Sequence, residues 1–267
     1  MINKGFLSMK NKVSVCIICK NESSKIDACL QSVTWADEIV VVDSGSTDST
    51  LDIVRKYTDK IFVREDWPGF GEQKRRAEAL ASHDWIFSID ADEVVPEALA
   101  LEIQHALTAA TPEQVFTVNR LTHFCGQFVY HSGWYPDKIA RLYNRTLYRY
   151  NQKMVHESLA CDGATMVDLK NDLLHYTFSD LSVYLQKRMR YAEEWAKEKH
   201  KSGKKGSLLK GTLSAIFAFI RHYFLRLGFL DGRIGFLIAA IQCQYTFNKY
   251  ALLKYKHISG QSTDSED

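Results

Sequence analysis

Short runs of β-branched and apolar residues alternate with helix-like segments in the first hundred residues of this 267-residue chain. Such runs are typical of strands buried on both faces, and the segments between them have the apolar spacing of helices. Strand and helix alternating at this rhythm predict a mostly parallel sheet with right-handed crossovers, flanked by helices. The predicted strands cover residues 13–19, 39–42, 61–63 and 85–89, and the predicted helices cover 26–33, 49–57, 72–81 and 97–107.

The pattern changes after residue 115. Shorter, mixed strands are predicted at 115–118, 128–130 and 139–143, and helices rich in basic and aromatic residues follow, with a Gly, Lys and Ser break at 202–207. We therefore expect three parts along the chain. They are an α/β domain over 1–180, a basic amphipathic helical region over 181–257 and a disordered tail over 258–267.

Charge is distributed unevenly along the chain. Residues 1–100 have 12 Lys and Arg against 17 Asp and Glu, whereas residues 181–257 have 15 against 4. Basic amphipathic helices commonly lie on anionic membrane surfaces, and the alternative is a helical subdomain whose cations are merely solvated. The apolar stretches at 213–220 and 234–241 are too short to span a bilayer. Six irregularly spaced cysteines and the lack of a signal-like apolar start predict a reduced, cytosol-facing protein.

Acidic residues follow two of the predicted strands. Asp43 ends the second strand, and Asp90 and Asp92 follow the fourth. Ligands of parallel sheets bind beyond the carboxyl ends of the strands, so these carboxylates should meet at one edge. Converging carboxylates repel each other unless a cation lies between them, and Mg²⁺ or Mn²⁺ prefers such oxygen ligands. The alternative is a solvated acidic turn that caps a helix.

Three segments of the sequence resemble those of a known family: VSVCIICKNE (13–22), VVVDSGSTDST (40–50) and WIFSIDADE (85–93). They resemble the family 2 inverting glycosyltransferases, which have the GT-A fold, a Rossmann-like, mostly parallel sheet flanked by helices. Later segments resemble the lipopolysaccharide-core β-1,4-glucosyltransferase branch of that family. These later segments are residues 69–77, 133–145, 155–159, 173–178 and 228–236.

The resemblance implies a donor and metal site. Asp43 would hold the uridine or its ribose, and Asp92 would be the direct ligand of a divalent metal, Mg²⁺ or Mn²⁺. Asp90 would contact the ribose or the waters of the metal. Lys20 and Glu22 would lie near the base and ribose, the alternative being an exposed ion-pairing loop.

Further residues are assigned to the donor by the same resemblance. Of residues 73–76, we favour Lys74 and Arg75 as nucleotide contacts, although neighbouring helical positions do not share a face. Arg141 would hold phosphate or order its loop, and the alternative is an ordinary surface ion pair. His175 would contact the metal or the phosphates, whereas from its apolar neighbours alone it reads as a hydrogen-bonded core histidine.

An inverting transfer also needs a general base for the acceptor hydroxyl. Glu157 is our choice, because the branch has a His-Glu pair here, and Asp137 is the competitor. The alternative for Glu157 is an acid at a strand edge paired with an arginine. Trp134 and Tyr135 would stack on the acceptor sugar, or else form an aromatic packing patch.

The resemblance thus implies an inverting hexosyltransferase that moves glucose from UDP-glucose to an inner-core heptose of lipopolysaccharide. Its partners would be a nucleotide-sugar, a lipid-linked core oligosaccharide and an anionic membrane surface on the cytoplasmic face of the inner membrane, with no nucleic acid. The alternatives are a family 2 transferase with another donor or acceptor, and a non-catalytic membrane-surface adaptor. A dinucleotide-dependent dehydrogenase is disfavoured, because the Gly-Phe-Gly at 69–71 lacks the third glycine and does not directly follow a strand.

Overall fold

The structure, a computed structural model, describes residues 11–152, 157–178 and 180–261. The strands are β1 Val13–Cys19, β2 Glu38–Asp43, β3 Ile61–Val63, β4 Trp85–Asp90, β5 Glu93–Val94, β6 Gln114–Phe124, β7 Gln127–Phe128, β8 Lys138–Asn144, β9 Arg149–Tyr150, β10 Leu159–Ala160, β11 Thr165–Asp168 and β12 Leu173–Phe178. The α-helices are α1 Ile26–Ser32, α2 Thr50–Val54, α3 Phe70–Leu80, α4 Glu97–Ala106, α5 Leu181–Lys201, α6 Leu208–Ile220 and α7 Gly232–Gln261.

One large sheet dominates the first part of the chain, with the strand order β3-β2-β1-β4-β8-β6-β12-β5. Strands β3, β2, β1 and β4 pair parallel to one another, and helices connect them as predicted. Strand β8 runs antiparallel to both β4 and β6. The link from β6 to β8 contains no crossover helix, and antiparallel neighbours do not need one. The α/β class with a GT-A-like sheet is confirmed, and the sheet is mixed.

Alternate residues of the central strands face two helical layers. Val15, Ile17 and Phe87 belong to a core that includes residues of α1 and α4, while Cys16 and Ile86 belong to a second core that includes α3. Every residue of β1 is buried. A strand covered on both faces explains why the sequence shows unbroken apolar runs in place of alternation.

The chain divides into two compact units. The first contains residues 1–121 and 137–176, and the second contains 122–136 and 177–267. The second unit therefore includes a short segment that the sequence assigned to the α/β domain. Of the predicted strand at 128–130, only residue 128 lies in a strand (β7). The N–H of Tyr130 donates to the carboxylate of Asp231 at 3.1 Å.

Helices α5, α6 and α7 form most of the second unit. The predicted break at 202–207 separates α5 from α6, and α7 continues to Gln261, past the predicted start of the tail at 258. Residues 262–267 lie outside the described residues. Within the described parts of the chain, none of the helices combines the length and the apolar character needed to cross a bilayer.

Candidate active site

The carboxyl ends of β1, β2 and β4 lie side by side at one edge of the sheet. In the register, Cys19 of β1 is the partner of Asp43, and Ile18 is the partner of Asp90. Parallel pairing therefore brings the two acidic clusters to one edge, as expected from their positions after β2 and β4.

Asp43 is fully buried, and its carboxylate shapes the loop after β2. Oδ2 accepts hydrogen bonds from the backbone N–H groups of Gly45 and Ser46, each at 2.8 Å, and Oδ1 accepts from the Ser46 hydroxyl. Gly45 has φ +82°, a left-handed conformation that glycine adopts without steric cost. Asp43 thus fixes the loop at which the nucleoside was predicted, and its direct contact with a nucleoside stays a prediction.

The loop after β1 is bonded to the loop after β2. The side-chain oxygen of Asn21 accepts from the N–H of Thr47, and the N–H of Glu22 donates to the hydroxyl of Thr50, both at 2.8 Å. Burial raises the pKa of Glu22 above its ordinary value. Lys20 is exposed. Their assignment to the base and ribose also stays a prediction.

A chain of alternating charges runs through the site. Four carboxylates and three cations follow one another through six contacts of 2.6–3.8 Å. Both candidate bases are included, one at each end. In order, the members are Glu157, Lys74, Asp90, Arg141, Glu93, Arg120 and Asp137.

The centre of this chain is buried. The side chain of Lys74 is 4% exposed, with Nζ 3.0 Å from Asp90 Oδ1, and one Arg141 nitrogen lies 2.7 Å from Asp90 Oδ2 and 2.6 Å from Glu93. Burial opposes the charge of Asp90, but Arg141 and Lys74 outweigh it and hold the pKa of Asp90 well below its usual range. Burial likewise opposes the charge of Lys74, yet the charge of Asp90 raises the pKa of Lys74. These groups are therefore ionised together.

Asp92 lies beside His175, with Oδ2 3.5 Å from Nε2. The contact follows from the backbone, because His175 of β12 is the register partner of Glu93 in β5, directly after Asp92. Burial opposes the charge of Asp92, but the hydrogen bond and charge of His175 keep its pKa below the ordinary value. Lys25 brings an ammonium to 3.9 Å from the same carboxylate.

The donor set fits a divalent ion held by few protein ligands. Asp92 offers a carboxylate oxygen, the type of ligand that Mg²⁺ and Mn²⁺ prefer, whereas the imidazole nitrogen of His175 is a ligand more typical of softer divalent ions. Both oxygens of Asp90 are already paired, one with Lys74 and the other with Arg141. Among the described residues, no three His, Cys, Asp or Glu are grouped as a ligand set.

The two candidate bases are in different surroundings. Glu157 Oε1 is paired with the buried Lys74 at 3.1 Å. Asp137 Oδ2 accepts two hydrogen bonds from the guanidinium of Arg120, at 2.8 and 3.0 Å. The side chain of Asp137 is also more exposed than that of Glu157. Residues 153–156, which include the first part of the VHESL motif, lie outside the described residues.

Three residues predicted to contact the donor or the acceptor are not members of the charge chain described above. Arg75 points to a different side of α3 from Lys74 and lines a cavity of about 430 Å³ with Arg149. Trp134 belongs to the second unit, with its ring 5.2 Å from Phe124, and Tyr135 packs at 5.9 Å from Tyr130 in the same unit.

Glu93, Arg120 and Lys25 are the site residues that sequence reasoning missed. Glu93 is completely buried, although it directly follows the Asp-Ala-Asp motif and precedes two valines. A charged residue directly before two valines could have indicated a buried ion pair, because buried charges are nearly always paired. Arg120 had no comparable local signal.

The mixed α/β sheet, with acidic residues at the carboxyl ends of parallel strands, has a GT-A-like arrangement. The profile of the family described as "Glycosyl transferase family 2" matches residues 14–172, more than half of the sequence, and this chain belongs to that family.

Relatives cover almost the whole chain. It is 32% identical to the lipopolysaccharide core biosynthesis glycosyltransferase LpsC of Rhizobium meliloti over 259 residues, 93% of this chain and 94% of that protein. It is 28% identical to an uncharacterized glycosyltransferase of Rickettsia conorii, with 97% and 96% covered. Among solved structures, a Mycobacterium tuberculosis glucosyl-3-phosphoglycerate synthase, crystallised with Mn²⁺ and UDP, is 26% identical at a TM-score of 0.35, over 42% of this chain and 44% of that one.

Proposed function

We propose that this glycosyltransferase moves glucose from UDP-glucose to a heptose of the lipopolysaccharide inner core, with inversion at the anomeric carbon. The observation that carries the catalytic part of the proposal is the pair of contacts at the sheet edge that joins Asp90 to Glu157 through Lys74. The similarity to LpsC along nearly the entire chain supports an acceptor in the lipopolysaccharide core.

The donor would bind across the loops after β1 and β2 and beside Asp92. Asp92 and His175 would hold a divalent ion, which when bound offsets the charge of the departing diphosphate. Lys25 adds a cation within 3.9 Å of Asp92. Arg141 has a buried Nε without a hydrogen-bond partner among the described residues.

Glu157 would act as the general base. Its Oε1 is held by Lys74, and we propose that its second oxygen, Oε2, takes the proton from the acceptor hydroxyl. The contact with Lys74 orients the carboxylate, and a base must be in position before the acceptor oxygen attacks. Asp137 remains the competing base, on the same chain of charges but at its other end.

A donor screen tests the proposal. The purified full chain is mixed with an inner-core oligosaccharide, Mn²⁺ or Mg²⁺ and each of several nucleotide-sugars, and products are identified by mass and by anomeric configuration. We expect one hexose to be added from UDP-glucose, with inverted configuration. Transfer from a different donor would overturn the glucose assignment, and the absence of both transfer and donor hydrolysis would favour the adaptor alternative.

A further inference from the structure

Helix α6 has the reverse of the usual arrangement of small and large side chains. Its buried positions are the small residues Gly211, Ala215 and Ala218, while its large apolar residues face outward. Leu209 is 72% exposed, Leu213 61% and Phe217 58%. In a helix that belongs only to a water-soluble core, the large apolar residues form the buried stripe.

The packing of the small residues fixes this orientation. A Cβ atom at Gly211 would lie 2.7 Å from the Cβ atom of Tyr250 in α7, so the two helices approach each other closely at this point. A roll of α6 that buried Leu213 or Phe217 would bring large side chains into a gap that has room only for glycine and alanine. The outward direction of the large residues is therefore built into the fold of this unit.

The exposed apolar surface continues beyond α6. A π-helical turn, Arg221–Leu225, and a 3₁₀ turn, Gly228–Asp231, follow the helix. The ring of Tyr223 contacts those of Phe224 and Phe229 at 5.0 and 6.4 Å, which joins the two turns into one surface. We call this surface the apolar face. Its exposed members are Leu209, Leu213, Ile216, Phe217, Ile220, Phe224, Leu225, Phe229 and Leu230.

Cations accompany the apolar face. Between residues 199 and 261 the sequence contains eleven Lys and Arg and a single acid, Asp231. That acid is buried and accepts from the backbone N–H groups of Tyr130 and His131 at 3.1 and 3.0 Å. Lys210 and Arg221 are exposed within the same segment as the apolar face. The surface charge here is thus positive.

We propose that the apolar face inserts into the interfacial layer of an anionic lipid bilayer, with the surrounding cations on the lipid headgroups. A contiguous exposed surface of large apolar residues marks an interaction site. Helices that present apolar and aromatic residues beside Lys and Arg bind in the plane of the membrane surface. Anionic lipids also attract nearby basic residues. A second copy of this chain fits less well, because both copies would bring the same excess of cations to the interface.

Vesicle sedimentation of the full chain tests this proposal. The vesicles contain phosphatidylglycerol and phosphatidylethanolamine, and phosphatidylcholine vesicles serve as the neutral comparison. We expect sedimentation with the anionic vesicles at about 0.1 M salt and release at about 1 M salt, where the Debye length falls to roughly 3 Å. No sedimentation with anionic vesicles at low salt would overturn the proposal.

Substitutions locate the contact. The double variant Leu213→Gln, Phe217→Gln should weaken vesicle binding by at least about tenfold, because it removes two large apolar side chains from the lipid contact. The matched control is Leu101→Gln, Leu147→Gln in the first unit, where the side chains are 59% and 52% exposed. Equal loss of binding in both double variants would contradict the assignment of the face.

Light scattering distinguishes binding to a bilayer from binding to a second copy of this chain. We expect a monomer for wild type and for both double variants without vesicles. A wild-type dimer that dissociates in the Leu213→Gln, Phe217→Gln variant and does not sediment with vesicles would overturn the proposal. Because the readout involves no donor or acceptor, its failure is distinguishable from failure of the proposed transferase reaction.

Discussion

Lys74 and Glu157 form an ion pair, with Nζ 3.1 Å from Oε1, and the lysine is also paired with Asp90. One buried cation therefore connects the candidate base to an aspartate of the Asp-Ala-Asp motif. Because the same ammonium orients both carboxylates, a change at Lys74 should affect donor binding and transfer together, while a change at Glu157 should affect transfer alone.

Asp92→Asn should abolish transfer while the fold survives. The amide has no negative charge to hold a divalent ion or to pair with His175, so the departing diphosphate would lose its neutralisation. Transfer with Mn²⁺ and the thermal unfolding midpoint are the measurements. Asp84→Asn, just before the other end of β4, is the matched control. Near-normal turnover in Asp92→Asn would remove the metal argument.

Asp43→Ala should weaken the binding of UDP by roughly tenfold or more, because the N–H groups of Gly45 and Ser46 lose their acceptor and the loop loses its shape. Titration calorimetry with UDP measures this, with the exposed Asp52→Ala as control. Asp43→Asn, which keeps an acceptor oxygen, should recover part of the affinity. Unchanged UDP affinity in Asp43→Ala would show that this loop is not the nucleoside site.

Arg141→Met should destabilise the protein by about 3–5 kcal/mol, because the buried Glu93 and the partly buried Asp90 would lose the cation that they share. Urea unfolding gives the free energy. In Arg55→Met, which removes an exposed pair with Asp52, the expected loss is at most about 1 kcal/mol. Similar losses in the two variants would mean that the buried charges are compensated in another way.

Glu78 should make stability depend on pH. Burial raises its pKa from 4.5 to about 7, despite the hydrogen bond from Tyr143 and the charges of Arg75 and Arg149. Arg145 donates to its backbone carbonyl at 2.8 Å. The folded protein therefore keeps a proton that the unfolded chain releases near pH 4.5, so the free energy of unfolding falls as pH rises from 4.5 to 7.

The variant Glu78→Gln lacks this titration. The free energy of unfolding of Glu78→Gln minus that of wild type should increase by about 2 kcal/mol as the pH rises from 4.5 to 8. This is less than the value that the whole pKa shift would give. Denaturant unfolding across this pH range gives the difference, in which the contributions of all other groups cancel. Parallel curves for the two proteins would contradict a raised pKa in the folded state.

The local sequence pattern predicted those strands that depend mainly on their own residues. The runs at 13–19 and 85–89 became β1 and β4, because β-branched residues covered on both faces have few alternatives. The antiparallel pairing of β8 with β4 joins residues more than fifty positions apart, and nothing near β8 in the sequence specifies it.

The same limit applies to the site. Positions after strand ends predicted Asp43 and Asp90 at one edge, since parallel register requires it. The pairing of Arg120 with Glu93 and the approach of His175 to Asp92 follow from tertiary register, which a single sequence does not reveal. The separation of Arg75 from Lys74 was foreseeable from helical geometry alone.

The most direct test of the central claim measures both the transfer rate and the donor affinity of Glu157→Gln and Asp137→Asn. Glutamine keeps the size of Glu157 but cannot take the proton, and loss of a general base costs roughly 10²–10⁴-fold in rate. Single-turnover transfer to the inner-core acceptor and calorimetry with the UDP-sugar are run on both variants. We predict that Glu157→Gln binds the donor normally and transfers it roughly 10²–10⁴-fold more slowly. Asp137→Asn should transfer at a rate within about tenfold of wild type. Retained turnover in Glu157→Gln with loss in Asp137→Asn would contradict the account and move the base to the other end of the charge chain.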